Sequence, residues 1–129
     1  MTLAVTTYTA AIMGLLLLAL SYRISQIRIA GKVNIGDGGN PELLARIRAQ
    51  GNLAEYVPVI LILMGLVEYA TGYSILLGVC ALVTILSRIA HAIGMGRPSP
   101  NPYRVAGTAG TWIVLLVLSI WALIVAVQM

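Results

Sequence analysis

The chain has 129 residues, of which 60% are hydrophobic and only 9% charged. A soluble domain carries roughly 25% charged residues, so this chain cannot coat a water-facing surface, and lipid must solvate most of its side chains. Its formal net charge of +4 is too small and too localised to mark a nucleic-acid binder, and its length suits one domain over residues 1–129.

The first apolar run carries no charge from Leu3 to Tyr22 and is expected to form a helix over about 3–28. Tyr8 and Tyr22 fall near its ends, where amphipathic rings favour the membrane interface. The N-terminus lacks the basic segment of a cleavable signal, so this run is expected to remain as the first membrane helix. A basic connection with Arg23, Arg28 and Lys32 follows, and then the breaker cluster Gly36-Asp37-Gly38-Gly39. Asn40-Pro41-Glu42 reads as a helix start: an N-cap, a proline suited to the first turn and a carboxylate at the positive dipole end.

The second helix is expected over 41–69. At 1.5 Å per residue it is longer than about 40 Å, which exceeds a hydrocarbon core of roughly 30 Å. Its first turns, with Arg46 and Arg48, should therefore project among headgroups or into water. Pro58 cannot donate to the Ala54 carbonyl, and a kink is expected there. A tight connection around Gly72 leads to a third helix over 74–95, and a second breaker stretch runs through Gly94, Gly96, Pro98 and Pro100. Asn101-Pro102 repeats the cap-then-proline start, and the fourth helix is expected over 102–127. Ala106 and Gly110 form a small-xxx-small pair suited to close helix approach. The fold class is thus all-α, an integral membrane four-helix bundle.

All eight basic residues (Arg23, Arg28, Lys32, Arg46, Arg48, Arg88, Arg97, Arg104) lie in or beside the first and third connections. The positive-inside rule then puts those connections in the cytoplasm, with both termini on the opposite side. This basic ring suits anionic headgroups or an anionic substrate. Cys80 is the sole cysteine and His91 the sole histidine. Neither a disulfide nor a two-histidine metal or haem site can form within one chain, and no metal site is expected. Cys80 reads as packing.

Arg48, Asn52 and Glu55 are spaced i, i+4, i+7 and share one helix face. A lipid-facing Glu55 would be costly, so these residues are expected to point into the bundle or a water-filled cleft. Arg88 and His91 share a face of the third helix, and Arg104 opens the fourth. Two readings stay open at this point. Arginines at helix ends commonly snorkel to headgroups, and an Arg–Glu pair can simply tie helices together. Alternatively, guanidiniums beside one carboxylate suit a small zwitterion with excess negative charge. Arginine pairs bidentately with carboxylates, Glu55 can receive an ammonium, and a guanidinium such as Arg104 lowers a nearby thiol's pKa. Glutathione has this make-up, and other anions share parts of it.

The segment Arg48-Ala-Gln-Gly-Asn52-Leu-Ala-Glu55-Tyr56-Val-Pro58 closely resembles the signature of the MAPEG family, the membrane-associated proteins in eicosanoid and glutathione metabolism. Arg88-Ile-Ala-His91 resembles the family's third-helix segment, Arg104 falls where the family has an arginine, and the Gly36–Gly39 loop looks like that of small bacterial members. The resemblance implies a homotrimer in a bacterial inner membrane, with glutathione as co-substrate between subunits near the cytoplasmic face. It also implies lipophilic electrophiles or hydroperoxides arriving from the membrane lipids. By position, Arg28, Arg48, Asn52, Glu55, Tyr56, Arg88 and His91 would hold glutathione, and Arg104 would stabilise its thiolate. Two family tyrosines are replaced, by Met95 and Thr108, and Tyr103 points roughly 100° away from Arg104 around the helix. A specific prostaglandin or leukotriene synthase is therefore not implied.

The leading expectation is a glutathione-dependent membrane transferase, with lipid peroxidase activity as a related outcome. A small proton-coupled transporter using Glu55 is one alternative, although the neighbouring arginines would repel a cation. A noncatalytic glutathione- or lipid-binding protein on the same scaffold is the other.

Overall fold

The structure, a computed structural model, describes residues 2–129. Four helices account for nearly all of it: α1 (Ala4–Gly31), α2 (Pro41–Thr71), α3 (Ile75–Met95) and α4 (Pro102–Gln128). Each is long and apolar enough to cross a bilayer, and the protein is an integral membrane four-helix bundle.

The helix starts follow from local chemistry. Asn40 Oδ1 accepts from the Glu42 and Leu43 N–H groups at 2.9 and 3.3 Å. Ser74 Oγ accepts from Leu77 N–H at 3.2 Å, and Asn101 Oδ1 from Arg104 N–H at 3.0 Å. Each bond meets an amide that the first turn leaves without an intrahelical partner. α1 has no such side-chain cap of its own at Leu3. Its cap comes from α2 instead: Glu68 Oε1 accepts from Val5 N–H at 2.9 Å, and Oε2 from Thr6 N–H at 2.8 Å. Glu68 is 1% exposed, so this buried carboxylate is satisfied by the positive end of another helix.

α1 continues three residues past 28, so it carries Arg23 and Arg28, and the first connection begins at Lys32. Lys32 ends it in the left-handed conformation, and Val33 N–H reaches back to the Arg28 carbonyl at 2.9 Å. α2 runs unbroken through Pro58.

α2 touches all three other helices, whereas α1 packs on α2 and α3 and does not reach α4. α3 and α4 form the tightest pair. A Cβ on Gly107 would stand 2.6 Å from the Ser87 carbonyl oxygen and 2.7 Å from His91 Cβ. One on Gly94 would stand 2.7 Å from Arg104 Cα, and one on Gly110 would strike Ser87 Oγ. Of the expected pair, Gly110 lies at the contact with α3, and Gly107 takes the place of Ala106 there. Ala106 is exposed, and the α4 stripe facing inward is Gly107, Thr111, Val114 and Leu118.

Two apolar clusters fill the interior. One joins α2, α3 and α4 around Ile60, Met64, Leu77, Cys80, Val114 and Leu118. The other joins α1 and α2 through Met13, Leu20, Leu53 and Val57. Cys80 is buried within the first and has no disulfide partner.

Candidate functional site

At the end of the bundle where α2 begins and α3 ends, the polar side chains occupy two depths. The outer layer sits on α2. Arg48 Nη1 lies 3.6 Å from Glu55 Oε1, with the two side chains 53% and 57% exposed. The pair arches over Gly51, where a Cβ would stand 3.6 Å from Arg48 Nη1. Of this face, Asn52 turns into the bundle, and Arg48 and Glu55 stay at its surface. Helix rotation leaves Arg48 and Glu55 on the outside of the chain, about two turns apart and facing outward.

The inner layer centres on Arg88, which is 2% exposed. Arg88 Nη1 donates to Asn52 Oδ1, and Nη2 donates to the Gly107 carbonyl at 3.2 Å. Its Cζ lies 5.8 Å from the centre of the Tyr56 ring. One residue of α3 thus links α2 to α4. The absence of a side chain at Gly107 is what lets α4 bring its carbonyl within reach. His91, 4% exposed, lies one turn further along α3, against Gly107. Both side chains are buried beneath α4.

Arg104 is exposed at the start of α4. Its backbone is clamped by the Asn101 cap and by the close approach of Gly94, and its Nη1 reaches Ser99 Oγ at 3.3 Å. It stands at the head of a groove of about 330 Å³ that runs down α4 past Thr108 to Trp112. A second groove of about 460 Å³ begins at Trp112 and Tyr56 and continues along Leu115, Leu116 and Ser119. Trp112 lines both, and its Nε1 donates to Tyr56 Oη at 3.0 Å. Trp112 was not among the sequence candidates. It lies in an otherwise apolar helix, and its partner is 56 residues away. Thr108, noted only as a replaced tyrosine, lines the groove beside Arg104.

Arg28 stands apart from this group. Its Nη1 donates to the Gly36 carbonyl at 2.6 Å, which ties the first connection back onto α1. The chain therefore brings together Asn52, Tyr56 and Arg88, with His91 one turn further along α3, sets the Arg48–Glu55 pair on its outer flank, and places Arg104 at the head of an adjoining groove. Such an arrangement offers exposed guanidiniums, one accessible carboxylate and an apolar channel beside them.

A family model described as the MAPEG family matches residues 6–124 of this chain. The inner membrane protein YecN of Escherichia coli strain K12 is 31% identical over 109 residues, which cover 84% of this chain and 82% of YecN. The protein of the same name from E. coli O6:H1 matches to the same extent.

Proposed function

The chain belongs to the MAPEG family, and from that premise we propose that it is a glutathione-dependent transferase of lipophilic electrophiles, working as a homotrimer in a bacterial inner membrane. The observation that carries this reading is the exposed Arg48–Glu55 pair beside Asn52 and Tyr56. Arg48 meets a carboxylate of glutathione bidentately, and Glu55 meets its ammonium. Asn52 and Tyr56 supply hydrogen bonds between these charged ends. Arg104, with its guanidinium exposed at the head of the apolar groove, holds the thiol as thiolate. The sulfur then bonds to an electrophilic carbon as the leaving group departs with its electron pair.

The exposure of the ion pair supports the trimer. A guanidinium and a carboxylate facing hydrocarbon would be costly, and a neighbouring subunit at that face would enclose them with the ligand. Arg28, turned to its own loop in one subunit, serves as a contact for a ligand held by the neighbour. The basic residues support cytoplasmic first and third connections, and the likeness to an inner membrane protein of E. coli supports the inner membrane. The 3.6 Å contact between Glu55 and Arg48 counts against a transporter that uses Glu55 as a free proton carrier.

The test has two steps. Purified protein is mixed with glutathione at neutral pH and thiolate absorbance is recorded in the ultraviolet; Arg104→Ala should abolish the signal. Turnover is then measured against a panel of electrophiles and lipid hydroperoxides. Thiolate formation without turnover of any member would assign a binding protein instead of a transferase.

A further inference from the structure

Arg88 is an odd residue to bury. The ion pairs among the described residues are Arg23–Glu42 and Arg48–Glu55, so no carboxylate neutralises it. Its Nε is buried with no hydrogen-bond partner. If its only task were to hold helices together, an apolar side chain of similar volume would do as well or better, because a buried charge costs more to desolvate than packing requires.

What Arg88 does fix is the direction of an amide. A guanidinium has only donors, so the edge of Asn52 that faces it has to be the carboxamide oxygen. The contact from Arg88 Nη1 to Asn52 Oδ1 has that sense. Asn52 Nδ2 then faces away from Arg88, with no acceptor among the described residues, on the same helix as Arg48 four residues before it and Glu55 three after. The bond from Nη2 to the Gly107 carbonyl keeps the guanidinium from following the amide if it turns. The Tyr56 ring, at 5.8 Å, is near the far limit of a cation–π contact, so the stronger link runs through Asn52.

We propose that Arg88 is a positioning residue: without touching glutathione, it locks the Asn52 carboxamide so that only its N–H donors are offered, and the site accepts a carbonyl or carboxylate oxygen at that point. The ligand's identity here rests on the reading given under Proposed function; the locked amide does not.

Glutathione affinity of the purified full chain is measured by titration calorimetry for wild type, Arg88→Lys, Arg88→Met, Asn52→Ala and the double variant Arg88→Met/Asn52→Ala. Arg88→Met should weaken binding about tenfold, the scale of one charge-assisted hydrogen bond, and Arg88→Lys, which keeps a donor, should recover most of it. The double variant should bind no more weakly than Asn52→Ala alone, because residues acting through one another are not additive. Additive losses would overturn the proposal, since they would mean that Arg88 meets the ligand itself.

Should Arg88→Met fail to fold, Asn52→Asp serves the same purpose. It keeps an acceptor for Arg88 and should unfold no earlier than wild type, yet it replaces the offered donor with an oxygen. Wild-type affinity in Asn52→Asp would overturn the proposal. If wild type binds no glutathione, the functional reading fails, and the lock is read without a ligand. The ¹⁵N side-chain resonance of Asn52, assigned by its absence in Asn52→Ala, should move in Arg88→Lys. An unmoved resonance would overturn the lock.

Discussion

The two ends of the bundle treat charge in opposite ways. At one end Glu68 is sealed inside and both its oxygens accept backbone amides from the first turn of α1. Nothing is left over for a ligand, and its work is to cap a helix whose own sequence supplies no cap. At the other end Glu55 is more than half exposed, with one partner at 3.6 Å, and Arg104 holds only a long bond to Ser99. Here hydrogen-bonding capacity is left unused at the surface while the supporting residues behind it, Arg88 and Asn52, are fixed. A satisfied buried charge stabilises the fold, and an unsatisfied accessible one is available for binding. Which kind a residue is depends on its surroundings, since both of these are glutamates on the same helix.

Substitutions can break or sharpen this contrast. The largest effect should come from Glu68→Leu, which leaves two part-buried amides of α1 without their acceptor. It should lower the stability of the detergent-solubilised protein by about 3 kcal/mol in thermal unfolding, with glutathione affinity of the folded fraction unchanged. Gly107→Ala should cost about 2 kcal/mol by overpacking α3 against α4, and because Gly107 holds Arg88, some glutathione affinity should go with it. Ala106→Leu, one residue away on the exposed face, should change stability by no more than about 0.5 kcal/mol. Glu55→Ala should do the reverse of Glu68→Leu. An exposed pair contributes about 1 kcal/mol or less to stability, so the unfolding temperature should barely move while glutathione affinity falls about tenfold, the scale of a lost charged hydrogen bond. The smallest effect on binding should be that of Trp112→Phe, which removes only the bond to Tyr56 Oη. Binding should weaken about twofold, within the net worth of one exposed hydrogen bond.

Much of the fold was legible because its signals are local. Four apolar runs, the Asn40-Pro41 and Asn101-Pro102 starts and the glycine breakers each act within a few residues of where they stand. The one-sided distribution of arginines was equally visible. What stayed hidden was set by helix rotation and by distant partners. A spacing of i, i+4, i+7 says that Arg48, Asn52 and Glu55 share a face. It does not say that the face turns so that Asn52 meets Arg88 while its two neighbours stay outside. One residue is about 100° of rotation on a helix, enough to exchange Ala106 for Gly107 at the contact with α3. Glu68 carries no motif, and the amides it caps lie more than 60 residues earlier. The Tyr56–Trp112 bond likewise spans two helices that only folding brings together.

The most direct measurement is calorimetric titration of glutathione into the purified protein, with Glu55→Ala and Glu68→Leu beside wild type. If the arginine end is the binding end and the Glu68 end is structural, wild type binds, Glu55→Ala loses affinity while keeping its unfolding temperature, and Glu68→Leu loses stability while its folded fraction keeps its affinity. Wild-type affinity in Glu55→Ala, or no binding by wild type, would contradict the assignment of glutathione to this site.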